Sequence, residues 1–176
     1  MSTLTDEDLM TAVTNGNLDS MSFLFERYHV RIFNFLYKMS RDRDLSEDLT
    51  QDVFFKAIKY RSSYKGGKFA AWIFAIARNG LNNHYGKQKV RLINLDEVSY
   101  KLDNRMEDTT EEVEHLNSML SKLNDNEREL IVLNRFQEIR YEELAQITGS
   151  SIAAIKVKVH RAIKKLKTHY FQNSEQ

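Results

Sequence analysis

The chain of 176 residues contains no proline and only six glycines. These two residues are the commonest local breaks in regular structure, so a chain with so few of them is built from long uninterrupted elements. No Val/Ile/Thr-rich run alternates between turn signals in the way a half-buried strand requires. The elements are therefore expected to be helices, and the hydrophobic content of 41% is ample to give them packed cores.

Apolar spacing supports this reading along most of the length. Thr5, followed by Asp6, Glu7 and Asp8, reads as a helix cap with acids in the first turn, opening a short helix that fades near Asn15 and Gly16. From Leu18 to Ser40, Phe25, Tyr28, Ile32, Phe35, Leu36 and Met39 recur at three- and four-residue spacing, the pattern of a buried stripe. Asp44 with Glu47 resembles a capping box for a third helix. Its inward stripe is Leu49, Val53, Ala57 and Tyr60, and its outward face carries Asp48, Gln51, Asp52 and Phe55. A polar turn from Arg61 to Lys68 holds Gly66 and Gly67. A fourth helix follows from Phe69 to about Gln88, with Phe69, Trp72, Ile73, Ile76 and Gly80 inward and Arg78, Asn79, Asn82, Asn83, Tyr85 and Lys89 outward.

Periodicity is then lost. Residues 91–114 hold eight acids against three bases, a composition that solvates rather than packs. It resumes at Val113, Leu116, Leu120 and Leu123, then at Leu130, Val132, Leu133 and Phe136, and runs on to Tyr170. The expected organisation is a domain over 1–90, an acidic linker over 91–112 and a second domain over 113–176.

Charge is sorted along the same divisions. The whole chain is nearly neutral, with 26 bases and 25 acids, yet Val53 to Leu95 carries nine Lys/Arg and no acid, and Ser150 to Asn173 carries six and no acid. Two stretches cleared of negative charge, in a chain that concentrates its acids elsewhere, suit a polyanion gripped in two places.

The second basic stretch carries a recognisable local pattern. Ala145, Gly149 and Ile155 stand four and six residues apart, where a small residue, a free backbone and an apolar anchor let two helices cross steeply, as in a helix-turn-helix. A Ser cap at Ser150 or Ser151 precedes a helix whose inward stripe is Ile155, Val159, Ala162, Ile163 and Leu166. Its outer arc holds Lys156, Lys158, His160, Arg161, Lys164, Lys165 and Lys167, with Ala153, Ala154 and Val157 near its start. Small apolar groups there suit thymine methyls in a major groove, with the bases on phosphates. A solvated helix would mix signs for i,i+4 pairing, and this one has no acid. In the first basic stretch Tyr60, Tyr64, Phe69, Trp72, Phe74 and Tyr85 alternate with Lys and Arg. Aromatics among bases suit unstacked nucleotides. Phe69, Trp72 and Phe74 fit the core better, leaving Tyr64, Asn79, Asn83, Tyr85 and the Lys/Arg set as contacts.

Other chemistries find little support. There is no cysteine for disulfides, thiolate metal sites or nucleophiles, and His29, His84, His115, His160 and His169 are scattered without ligand spacing. No catalytic or metal-binding residue, cofactor or small-molecule substrate is assigned. Lys65-Gly66-Gly67-Lys68 lacks the glycine spacing of a phosphate loop, and Phe69 stands where a magnesium-binding Ser or Thr would be. No apolar run is long enough to insert in a membrane and no export signal opens the chain, so a cytoplasmic location is expected. A one-component transcriptional regulator, or an adaptor working through the acidic linker, remains an alternative on these residues alone.

Ser46-Glu47-Asp48-Leu49-Thr50-Gln51-Asp52-Val53-Phe54-Phe55-Lys56-Ala57 resembles the polymerase-binding segment of bacterial sigma factors. Phe69 to Asn79 is similar to the family's next segment, and Tyr141 to Ala145 with Ile155 to Ala162 to its C-terminal recognition region. The layout resembles the extracytoplasmic-function (ECF) subgroup over about residues 5–168. The resemblance implies an all-α protein of two small helical domains joined by an acidic flexible linker, the second containing the helix-turn-helix. It implies docking on core RNA polymerase through Asp48, Gln51, Asp52 and Phe55, and capture of the -10 promoter element by Tyr64, Lys65, Arg78, Asn79, Asn83, Tyr85 and Lys87. It further implies reading of the -35 element by Ser151, Ala154, Lys156, Val157, Lys158 and Arg161, threading of the linker into polymerase channels, and control by an anti-sigma factor. The chain departs from the family pattern at Asn83, commonly Asp, at Gly86, often Arg, and at Asn124, commonly Pro.

Overall fold

In a computed structural model, which describes residues 3–94 and 110–174, the described residues form helices and no strand. The chain divides into two compact units, Met1–Leu102 and Asp103–Gln176.

The first unit is built from α1 (Asp6–Thr14), α2 (Met21–Ser40), α3 (Arg43–Lys59) and α4 (Phe69–Asn94), with short 3-10 turns at Leu18–Ser20 and Arg61–Ser63. Thr5 caps α1 in a reciprocal box with Asp8, as its acidic opening suggests. Arg41 takes a left-handed conformation that ends α2. Asp42 then accepts a hydrogen bond from the Leu45 N–H at 3.0 Å, so the cap of α3 is Asp42 and not Asp44. Core aromatics meet edge to face: Phe35 on Phe74 with centroids 5.9 Å apart, and Tyr28 on Phe69 at 5.0 Å. Phe35, Phe69 and Phe74 are fully buried, each contributing roughly 2–3 kcal/mol of apolar transfer.

Two expected core residues lie elsewhere. Phe25 and Tyr60 are exposed, Phe25 stacking on His29 with its edge toward Phe54. The interior of α3 is instead completed by Ser46, Thr50 and Phe54. Ser46 and Thr50 are tolerated there because their hydroxyls donate to backbone carbonyls at 2.6 Å, to Asp42 and Ser46 respectively. That local bonding is why an apolar count misreads the face.

The second unit comprises α5 (Glu111–Ser121), α6 (Asp125–Ile131), a single π turn (Val132–Phe136), α7 (Tyr141–Thr148) and α8 (Ile152–Ser174). Helix α8 packs on α5, α6 and α7 and buries Ile155, Val159 and Ala162 among Leu120, Leu130, Leu133 and Leu144. Val113 and Phe136, read as core, are partly exposed. Asn124 caps α6 in a reciprocal box with Glu127. Arg128 closes the α5–α6 turn by donating to the carbonyls of Leu120 at 3.0 Å and Leu123 at 2.9 Å, where orphan acceptors favour a cation.

Helix α4 continues to Asn94 and α5 begins at Glu111, so both ends of the acidic stretch 91–112 are helical. The rest of that acidic stretch, 95–109, lies outside the described residues.

Candidate nucleic-acid and polymerase interfaces

On α3, Asp48 stands three and four residues before Gln51 and Asp52, and Phe55 four and three after them, so the four share a face. Phe55 is 62% exposed at one end of it, which places a large ring in water amid carboxylates and an amide. Asp52 pairs with Lys56 at 2.9 Å, and the Lys59 ammonium lies 6.0 Å from the Phe55 ring centre and 5.3 Å from that of Tyr60. The face therefore has an acidic head and a cationic-aromatic tail.

The second set of residues gathers around α4. At 100° per residue, Asn79, Asn83 and Lys87 form one exposed stripe about 80° wide with Gly86 at its edge, while Arg78 and Tyr85 lie about 140–160° from its centre. Arg78 and Tyr85 are half-buried, and Tyr85 packs edge-on against His84 at 5.9 Å. Lys65 stands exposed in the loop before α4, beside Gly66, Gly67 and Lys68.

Tyr64 does not join them. It was expected to face nucleic acid, but only 6% of it is exposed. Its hydroxyl donates to the Gly67 carbonyl at 2.7 Å and its ring meets Trp72 edge-on at 5.5 Å. Burial, with the nearby carboxylates of Glu7 and Asp6, raises its pKa above the ordinary phenol value. The reason is geometric: Gly66 and Gly67 take positive φ of 94° and 81°, curling the loop back over the ring. Tyr64 is a strut of the loop rather than part of its surface. Lys68, one of the Lys/Arg set of this stretch, is exposed beside Lys65, and Tyr60, placed by its spacing on the inward stripe of α3, is exposed beside Lys59.

In the second unit, α7 ends on Gly149 at φ 72°, its N–H donating to the Ala145 carbonyl at 2.9 Å. Ser151, not Ser150, caps α8, accepting from the Ala154 N–H at 3.1 Å. Lys156, Val157, Lys158 and Arg161 are exposed and Ala154 half-exposed, so the six residues named for this helix lie at or near its surface. Val157 is 48% exposed between two lysines, an apolar group held where solvent would favour charge. Beside this face Asn124, Asn126, Glu127, Leu130, Lys158, Arg161 and Lys165 line a cleft of about 290 Å³. Lys165 bonds Glu127 there at 2.9 Å, and that hydrogen bond chiefly holds the Glu127 carboxyl below the usual carboxylate range.

Among the described residues no group of His, Cys, Asp or Glu is placed to hold a metal ion, and no helix is long and apolar enough to cross a membrane.

Two helical units, the second a helix-turn-helix with bases and small apolar groups along its outer face, define a bipartite DNA-binding protein. Comparison with known proteins is consistent with that class: residues 24–91 match Sigma-70 region 2 and residues 114–166 match Sigma-70, region 4. The chain is 31% identical over 151 residues to the ECF RNA polymerase sigma factor SigM of Bacillus subtilis, covering 84% of this chain and 93% of that one. It is 29% identical over 166 residues to the RNA polymerase sigma factor YlaC of the same organism, covering 90% and 96%. The fold is also similar to the sigma factor RpoE of Bartonella quintana, solved with the anti-sigma factor NepR, at a TM-score of 0.73 and 25% identity over 84% of this chain and 94% of that chain. The chain belongs to the ECF RNA polymerase sigma factors.

Proposed function

We infer that this protein is a dissociable specificity subunit: it binds core RNA polymerase and directs promoter-specific transcription initiation. The observation carrying this reading is that regions 2 and 4 of the family fall one in each compact unit, and each unit presents an outer face rich in bases. The residue roles are proposals. Asp48, Gln51, Asp52 and Phe55 bind core polymerase, with Phe55 as the exposed apolar anchor at the end of the acidic face. Lys65, Asn79, Asn83 and Lys87, together with Arg78 and Tyr85 farther round α4, engage the -10 strand as it opens, Asn83 and Gly86 altering the preference there. Ser151, Ala154 and Val157 read base edges of the -35 element, and Lys156, Lys158 and Arg161 hold its phosphates.

The domains are assigned as 1–90 for polymerase and -10 binding and 113–176 for -35 binding, with the acidic residues between them threading into polymerase channels. The work is done by binding, and the protein acts in the cytoplasm alongside polymerase without catalysing a reaction itself. An anti-sigma factor is the proposed regulator, by analogy with the Bartonella protein and its NepR partner.

The test is transcription of fragmented genomic DNA by bacterial core polymerase with and without this protein, mapping RNA 5′ ends. New starts sharing two upstream elements are expected, and none at all would overturn the reading. Lys158→Glu combined with Arg161→Glu is expected to abolish these starts while core affinity is kept. Normal initiation by that double variant would move the -35 contacts off α8.

A further inference from the structure

The loop before α4 is pinned at both ends, and one pin comes from the far end of the unit. Glu7, half-buried on α1, accepts a hydrogen bond from the Phe69 N–H at 3.1 Å across 62 residues of sequence. Lys68 precedes that N–H and its carbonyl accepts from the Trp72 N–H, so the Glu7 carboxylate sits on an orphan donor of the first turn of α4. At the loop's other end Tyr64 is clamped between Trp72 and the Gly67 carbonyl. Helix α1 also packs directly against the 3-10 turn Arg61–Ser63 and against α4. It is itself anchored, because Asp6 takes Arg27 at 2.7 Å and the Tyr28 hydroxyl.

We propose that Glu7 is a positioning residue for promoter opening: it caps α4 and thereby fixes the loop bearing Lys65 and Lys68 in the geometry that receives the unstacked strand. This rests on the reading above that the loop meets the -10 strand.

A loop rich in glycine and lysine has a large conformational entropy when free, and holding it before DNA arrives removes that cost from the opening step. The carboxylate has a second effect. It occupies the N-terminal donor that a phosphate would otherwise approach, which leaves the exposed lysines as the loop's phosphate ligands. Gln keeps an acceptor at this distance but lacks the charge, whereas Ala keeps neither.

The experiment uses full-length protein with core polymerase on a promoter found by the genomic transcription assay. Four variants are compared with the parent: Glu7→Ala, Glu7→Gln, Asp8→Ala, which weakens the same helix without touching Phe69, and Lys65→Ala with Lys68→Ala. Core affinity is measured for each, and strand opening is followed by permanganate reactivity on duplex and on pre-opened promoter. Glu7→Ala is expected to slow opening of the duplex about tenfold. Glu7→Gln and Asp8→Ala should lose less than about threefold, with core affinity unchanged throughout and the Glu7→Ala defect largely removed on pre-opened DNA. An equal loss in Asp8→Ala and Glu7→Ala, a loss of core affinity, or normal or faster opening by Glu7→Ala would each overturn the proposal. If the lysine pair opens promoter normally, the reading of the loop as a strand contact fails instead.

Discussion

Two single residues, one through its backbone and one through its charge, have energetic consequences that can be measured. Glu138, between the π turn and α7, holds φ at 58° without being glycine. A side chain in the left-handed region costs roughly 1–2 kcal/mol, part of which glycine returns as unfolded-state entropy. Glu138→Gly is therefore expected to stabilise the second unit by about 0.5–1 kcal/mol in chemical denaturation. Glu127 is the second case, since its carboxyl is held below the ordinary range mainly by Lys165. A lowered folded value means the stabilisation is present above the unfolded carboxylate range and is lost as acidification passes through the folded one. Because the Lys165 side chain is 55% exposed, solvent screening keeps the contribution small. Glu127→Gln should cost about 0.5 kcal/mol at neutral pH and nothing once acid has protonated Glu127 in the parent, as thermal melts across pH would record.

At the scale of elements, helices with a regular apolar stripe were readable in advance and those with local polar bonding were not. Helix α2 buries Tyr28, Ile32, Phe35 and Leu36 on the face that spacing marks, and α8 buries Ile155, Val159 and Ala162 likewise. Helix α3 hides Ser46 and Thr50 while exposing Tyr60, because hydroxyl-to-carbonyl bonds let small polar side chains go inside. Its start was misplaced by two residues for a related reason, since Asp42 and Asp44 both look like caps and only the left-handed turn at Arg41 selects the first. Asp42→Ala is expected to cost about 1 kcal/mol through loss of the bond to the Leu45 N–H, measured by denaturation of the full chain. The loop before α4 was legible as basic and aromatic, but the burial of Tyr64 depends on a backbone curl that composition does not encode. The bond from Glu7 to Phe69 spans too much sequence for any local pattern to announce it.

For the whole molecule, sorting of charge matters more than its total. A chain of net charge +1 has no global attraction for DNA, so on the function proposed above affinity would rest on the two basic faces. Binding of the polymerase complex to promoter is expected to weaken steeply with salt. Neutralising Lys156 or Lys158 singly should make the log–log slope shallower by about one each, as filter binding at graded salt would show. Both faces were visible as acid-free stretches because charge exclusion, unlike packing, is written directly into composition. The contact between Tyr64 and Trp72 has a separate consequence. Trp72 is the chain's one tryptophan among eight tyrosines, so emission excited beyond the tyrosine absorption band is a local optical signal from the base of the loop, and a change in it would report loop movement without any label.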